Sequence, residues 1–228
     1  MRKICVCSTV VLLVLSAGQV QAQGVDQPTP DLPPEGVYLS PDDVHAMYSG
    51  PDLEIVLSAI QHQPFAGAVR QPGPGPTDET ELFESSLSGE GACEGLMCGA
   101  LGIPPGFPVD MNGPVQTVVF DRLTSLTGTF QTEIVSMSLT GTGGIMLRES
   151  PTLQSTGQTT ITDIGGGMFH VDSFFDVWTE LSLDGGSTWI PNSGGPTHVV
   201  LGIPEPASVV LMTLGLLGMC AIGLRRKS

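Results

Sequence analysis

The residues that could carry chemistry are few. Ser182-Leu183-Asp184-Gly185-Gly186-Ser187-Thr188-Trp189 sets a carboxylate, hydroxyls and an indole around a glycine pair. That spacing suits a tight hairpin turn, in which Asp184 accepts hydrogen bonds from turn amides. Gly186 would take a conformation closed to other residues, Ser182 and Thr188 would flank the carboxylate, and Trp189 would pack beneath. Cys93 and Cys98 are the only cysteines away from the two ends of the chain. Their C-x4-C spacing predicts a local disulfide in an oxidising compartment. The competing reading, a structural zinc, takes four ligands, and no histidine stands near in sequence. His45, His62, His170 and His198 follow no metal-ligating spacing, so neither a metal nor a cofactor is expected. Asp42-Asp43 and Glu79, Glu81 and Glu84 read as solvated faces rather than catalytic pairs. With no nucleophile elbow, phosphate loop or dinucleotide fingerprint, no catalytic residue is assigned and the chain is not expected to be an enzyme.

Strands must position these groups. From Phe169 to Leu183 the odd positions are Phe169, Val171, Ser173, Phe175, Val177, Thr179, Leu181 and Leu183, whereas most even ones are polar. Period two marks a half-buried strand. Its full extension of about 50 Å exceeds an ordinary strand, which predicts a bend or break near Ser173. Trp178 interrupts the polar parity and is the candidate for stacking on a sugar ring. Thr80 to Leu87 and Val115 to Phe120 read as further strands. In Phe130 to Leu139 the apolar parity flips between Ile134 and Val135, as a β-bulge requires. No segment has a convincing helical stripe, so the fold class expected is all-β, an antiparallel β-sandwich over residues 51–203. Residues 23–50, including Gln27-Pro28-Thr29-Pro30-Asp31-Leu32-Pro33-Pro34, read as a Pro-rich extended lead.

The 228 residues carry 8 Lys+Arg against 23 Asp+Glu, a formal net charge of −15. That length allows one core with tails. Outside the two ends only Arg70, Arg122 and Arg148 remain, against every acid except Glu205. Such a surface repels phosphates and excludes nucleic acid as a partner, while attracting cations.

The ends read as addresses. Met1-Arg2-Lys3, the apolar run Val10 to Leu15 and Val20-Gln21-Ala22 describe a secretory signal peptide over residues 1–22, cut by signal peptidase between Ala22 and Gln23. The apolar run is too short to cross about 30 Å of hydrocarbon. At the other end Pro204-Glu205-Pro206 precedes the uncharged stretch Ala207 to Leu224, then Arg225-Arg226-Lys227. The uncharged stretch makes about 27 Å of helix, a transmembrane span whose basic tail stays on the cytoplasmic side.

Tripeptide, helix and basic tail over residues 204–228 resemble the PEP-CTERM sorting signal of Gram-negative bacteria. The resemblance implies processing by an exosortase in the inner membrane. The protein would be a membrane-tethered intermediate, then reach the cell surface or extracellular matrix, where exopolysaccharide is a candidate partner. A plain C-terminal anchor is the alternative. Residues 182–189 are similar to the Asp-box of sialidases and other β-propellers, where the box stabilises a turn away from the active site. It occurs once here, and Arg70, Arg122 and Arg148 lie in no sialidase arginine motif. The function expected is that of an exported non-catalytic surface or matrix protein. The alternative is a secreted carbohydrate-binding module or small glycan-active enzyme, with Trp178 as its ligand residue.

Overall fold

Alternation of inward apolar and outward polar side chains carries most of the chain through antiparallel strands. The computed structural model describes residues 24–41 and 46–202. The expected signal peptide with its Ala22–Gln23 cleavage point, Asp42-Asp43, His45, the transmembrane stretch and the sorting residues Pro204, Glu205, Pro206, Arg225, Arg226 and Lys227 lie outside the described residues. The elements are β1 (Val25–Gln27), β2 (Val37–Leu39), β3 (Ala46–Gly50), β4 (Leu53–Pro72) and β5 (Glu79–Glu94). After these come the short helix α1 (Leu96–Leu101), β6 (Gly106–Val119), β7 (Gly128–Gly141), β8 (Met146–Glu149) and β9 (Ser155–Gly165). The chain continues through β10 (Met168–Val177), β11 (Thr179–Ser182), β12 (Ile190–Pro191) and β13 (Thr197–Gly202).

The sheet closes on itself, which corrects the expected sandwich. Strands β2, β4, β5, β6, β7, β9, β10 and β13 follow one another round a barrel, each antiparallel to its neighbours. Closure comes from β9, which pairs with both β7 and β10, and from β13, which lies between β10 and β2. Barrel and sandwich strands alternate identically, so the pattern that suggested stacked sheets serves a barrel equally well. Phe83, Leu87, Val115, Val119, Phe130, Ile134, Ile161, Val171, Phe175 and Leu201 are buried in the resulting core.

The long strands β4 to β7 overrun this ring. Beyond it β3 adds to β4, and β8, β11 and β12 add in turn to β7. The two flanks meet where Tyr48 bridges Asn192. There Met47 N donates to Asn192 Oδ1 at 3.1 Å, and the buried Tyr48 and Thr179 hydroxyls bond at 2.6 Å. Ile55, Leu57, Leu139, Leu147 and Leu181 fill this end.

Two further expectations meet the structure differently. The parity flip in β7 is a bulge, since Gln116 pairs with Ser136 and Thr117 with Ile134, which leaves Val135 outside the ladder and exposed. The long strand does not break at Ser173 but at Trp178, between β10 and β11. Trp178 N donates to Ser155 Oγ, and Trp178 O accepts from Ser150 N, so the chain changes partners there, from β9 to β8.

The expected lead is also corrected, because residues 25–50 contribute β1, β2 and β3 to the sheet. β1 lies on β10, with Val25 opposite Val171, and β13 occupies the same side of β10 further along. Val25 and Gly202 border one shallow surface depression, so the start of β1 and the end of β13 lie near each other.

The seam between β9 and β10 is close. A Cβ at Gly157 would fall on the Phe174 carbonyl oxygen and 2.6 Å from Phe175 Cδ1, whereas one at Gly106 would meet nothing. Gly157→Ala is expected to destabilise the protein by about 1–3 kcal/mol. Gly106→Ala should stay within about 0.5 kcal/mol of wild type. Paired urea unfolding curves check the contrast, and equal midpoints would contradict the seam geometry.

Candidate functional site

The segment between β1 and β2 does not run off into solvent; it stoppers one mouth of the barrel. Leu32 is 2% exposed, and with Pro33 and Pro34 it lies over the interior. Two of the arginines hold it there. Arg70 donates from Nε and Nη2 to the Leu32 carbonyl, at 3.2 and 3.1 Å, and pairs with Asp31. The buried Arg122 donates to Pro30 O at 2.6 Å and to Ser125 O at 2.6 Å, with its guanidinium over the Phe130 ring. Gln27 Nε2 donates to the carbonyls of Thr29 and Asp31. Prolines cannot donate, so a proline-rich plug offers carbonyls without amide hydrogens, which suits cationic and amide donors.

Beneath the plug the barrel wall carries two polar arcs. On one side the Tyr38 hydroxyl donates to Ser173 Oγ at 3.0 Å, and Ser173 bonds Thr159 Oγ1 at 2.8 Å, which ties β2, β10 and β9 together. On the other, Thr117 Oγ1 donates to Glu81 Oε2 at 3.2 Å. Glu81 Oε1 and Thr132 Oγ1 are buried with no hydrogen-bond partner among the described residues. A narrow cavity of about 30 Å³ lies between them, walled otherwise by Phe83, Val115, Ile134 and Phe175. A second apolar cavity of about 40 Å³ lies further along the interior, and His62 borders both. Glu81 was expected on a solvated face; it shares its strand parity with Phe83 and Leu87 and is 2% exposed.

Burial sets the protonation of both interior groups. It raises the Glu81 carboxyl to about 8, with Glu79 adding to the rise and Thr117, Arg70 and Arg122 opposing it. It lowers His62 to about 4, and its Nε2 is sealed from water although the residue as a whole is half-buried. Interior carboxyl and imidazole are therefore both neutral near pH 7.

The other sequence candidates lie elsewhere. Asp184 is the hub of the β11–β12 turn: its carboxylate accepts from Thr188 N, Thr188 Oγ1, Ser187 N and Ser182 Oγ. These bonds, those from Thr188 first, lower the exposed carboxyl to about 2. Gly186 has φ +88°, and its carbonyl accepts from Trp189 Nε1 at 3.0 Å. Arg148 lies 4.0 Å over the Trp189 ring and donates to Glu180 Oε2. Cys93 and Cys98 are joined in a disulfide at the opposite end from the plug, tying α1, which contains Cys98, to the end of β5. Trp178 is half-buried at the break between β10 and β11. Among the described residues no cluster of three or more His, Cys, Asp or Glu is placed to hold a metal ion, and no helix is long and apolar enough to cross a membrane. The residues missed in sequence are Thr132 and the plug, because neither carries a motif.

Residues 202–227 match the PEP-CTERM protein-sorting motif. That motif implies exosortase-dependent sorting of an exported protein that is anchored in the membrane and then processed. No curated protein and no solved structure matches the chain.

The two neutral interior groups give opposite pH signatures. Between pH 4.5 and 8 the folded chain keeps a proton on Glu81 that the unfolded chain gives up, so this contribution to stability is full below 4.5 and is lost as pH rises towards 8. Between 6.5 and 4 the unfolded chain takes up a proton that folded His62 refuses, so stability falls there as pH drops. Glu81→Gln should therefore melt several degrees above wild type at pH 8, with the gap closing towards pH 4.5. Thermal melts across that range check it, and parallel curves would refute the buried carboxyl's protonation.

Proposed function

We propose that the chain is an exported, non-catalytic β-barrel displayed at the cell surface or in the extracellular matrix after exosortase processing. The sorting motif at residues 202–227 is the observation that carries the reading, because it begins where β13 ends. A cut beyond Gly202 leaves every barrel pairing intact. The three arginines of the barrel are all engaged internally, by plug carbonyls and Asp31, by Ser125 O and by Glu180, with Arg122 Nε buried and unpartnered among the described residues. The outward charge is thus overwhelmingly acidic, which favours solubility and cationic neighbours outside the cell. In a Gram-negative host with an exosortase, the full chain is expected first in the inner-membrane fraction and then, shortened, outside the cell. A chain lacking residues 204–228 should bypass the membrane fraction. Immunoblots of fractionated cells test this, and an uncut chain in cytosol would end the proposal.

A glycan-binding reading rests on the outer face of β10. Phe174 lies there with His198 tilted against it at 5.6 Å and Gln158, Thr160 and Asp172 alongside, and Trp178 continues the same parity at the break just beyond β10. If this face binds sugar, titration against a polysaccharide panel will give saturable binding that falls at least tenfold in Trp178→Ala. Flat responses from wild type would leave the display role alone.

A further inference from the structure

We propose that the plugged end of the barrel is a binding site for a small apolar molecule bearing a primary ammonium group, gated by residues 28–36. The inference goes beyond the display role and does not rest on it. Its foundation is a mismatch inside the wall. Glu81 and Thr132 are 2% and 3% exposed, line the same cavity, and each keeps an oxygen without a partner among the described residues. Buried polar atoms are ordinarily satisfied; once Glu81 has lost its proton both oxygens accept, so the complementary ligand group is a donor with several hydrogens, and His62 Nε2 is likewise unpartnered at this cavity among the described residues. The remaining walls, Phe83, Val115, Ile134 and Phe175, suit a short alkyl body.

Charge favours ammonium over hydroxyl. The guanidinium hydrogens of Arg70 and Arg122 that make hydrogen bonds are directed to Leu32, Pro30 and Ser125, and no ion pair joins either arginine to Glu81. Burial then dominates, and the interior holds Glu81 as the neutral acid. An incoming ammonium supplies the partner that makes the carboxylate tolerable in the interior. The step balances simply: the Glu81 O–H bond breaks, its proton passes to solvent, and the ligand's three N–H bonds stay intact against the carboxylate. The acidic exterior concentrates cations near the mouth.

Access requires the gate. The cavity of about 30 Å³ holds one or two waters as it stands. Leu32 is 2% exposed and lines this cavity, so displacing its side chain enlarges the space. Apart from a Gly36–Pro34 contact, the segment's backbone makes no backbone hydrogen bond among the described residues, being held instead by Arg70, Arg122 and Gln27 side chains. Such a segment can lift while all barrel ladders persist.

The test is isothermal titration of the full chain in non-ionic detergent with n-butylammonium chloride, and with n-butanol as the uncharged counterpart. Measurements at pH 6 and pH 8.5, in buffers of different ionisation heat, count protons. The expected result is one saturable millimolar site that releases close to one proton at pH 6. Binding should tighten at least tenfold at pH 8.5, tighten several-fold in Leu32→Ala, and weaken at least tenfold in both Glu81→Gln and Thr132→Val. A cooperative melt of each variant establishes that it is folded. No saturable binding to wild type and Leu32→Ala, undiminished binding in Glu81→Gln, or butanol binding as tightly as butylammonium would each overturn the proposal.

Discussion

The ladder that joins Val200, Leu201 and Gly202 to Leu39, Tyr38 and Val37 unites the last strand of the barrel with an early one, and the interior exists because of it. Without β13 between β10 and β2 the sheet would have two open edges, and Val171 and Phe175 would face water. Open edges are also templates for pairing with other chains. Closure removes both liabilities for the ring, at the kinetic cost of a contact between sequence-distant strands. The far end is tied differently, by the Tyr48–Thr179 hydroxyl pair and the Asn192 side chain, which let two short flanks meet with few backbone bonds.

A closed ring still has mouths, and one of them shows how sparse cations are used. With no lysine in the described residues and three arginines, each guanidinium performs several tasks. Arg122 is buried with its ring contact to Phe130 and two carbonyl bonds, a position that would be costly for an unpaired charge. Arg70, exposed at the rim, bonds the Leu32 carbonyl twice and pairs with Asp31. Arg148 lies over Trp189 while bonded to Glu180, so the hairpin that Asp184 organises is pinned to β8. The plug, the mouth and the hairpin thus depend on three side chains out of an otherwise acidic barrel.

Local pattern was legible and global closure was not. Alternation from Phe169 to Leu183 survives in the burial of Val171, Ser173, Phe175, Val177, Thr179 and Leu181, and the Ile134/Val135 parity flip is a bulge. Both are consequences of chain geometry alone. The break at Trp178 was not legible, because it depends on Ser155 and Ser150 reaching the chain from another strand. Barrel and sandwich look alike along any one strand. Glu81 is the instructive case: its parity with Phe83 and Leu87 was in plain sight, yet acids are so seldom buried that composition outweighed position. The prolines at 28, 30, 33 and 34 misled in the opposite direction. They sit between strands too short to announce themselves, and they form a stopper rather than a leader.

Because Val25 and Gly202 flank the same depression, whatever holds the chain beyond Gly202 pulls on a strand zipped along both sides, to β10 and to β2. A force along that strand loads its two ladders together in shear, instead of peeling bonds one by one from a loose hem. The barrel is therefore hung from a reinforced attachment point, able to bear drag while moored and to keep its shape once the line is cut.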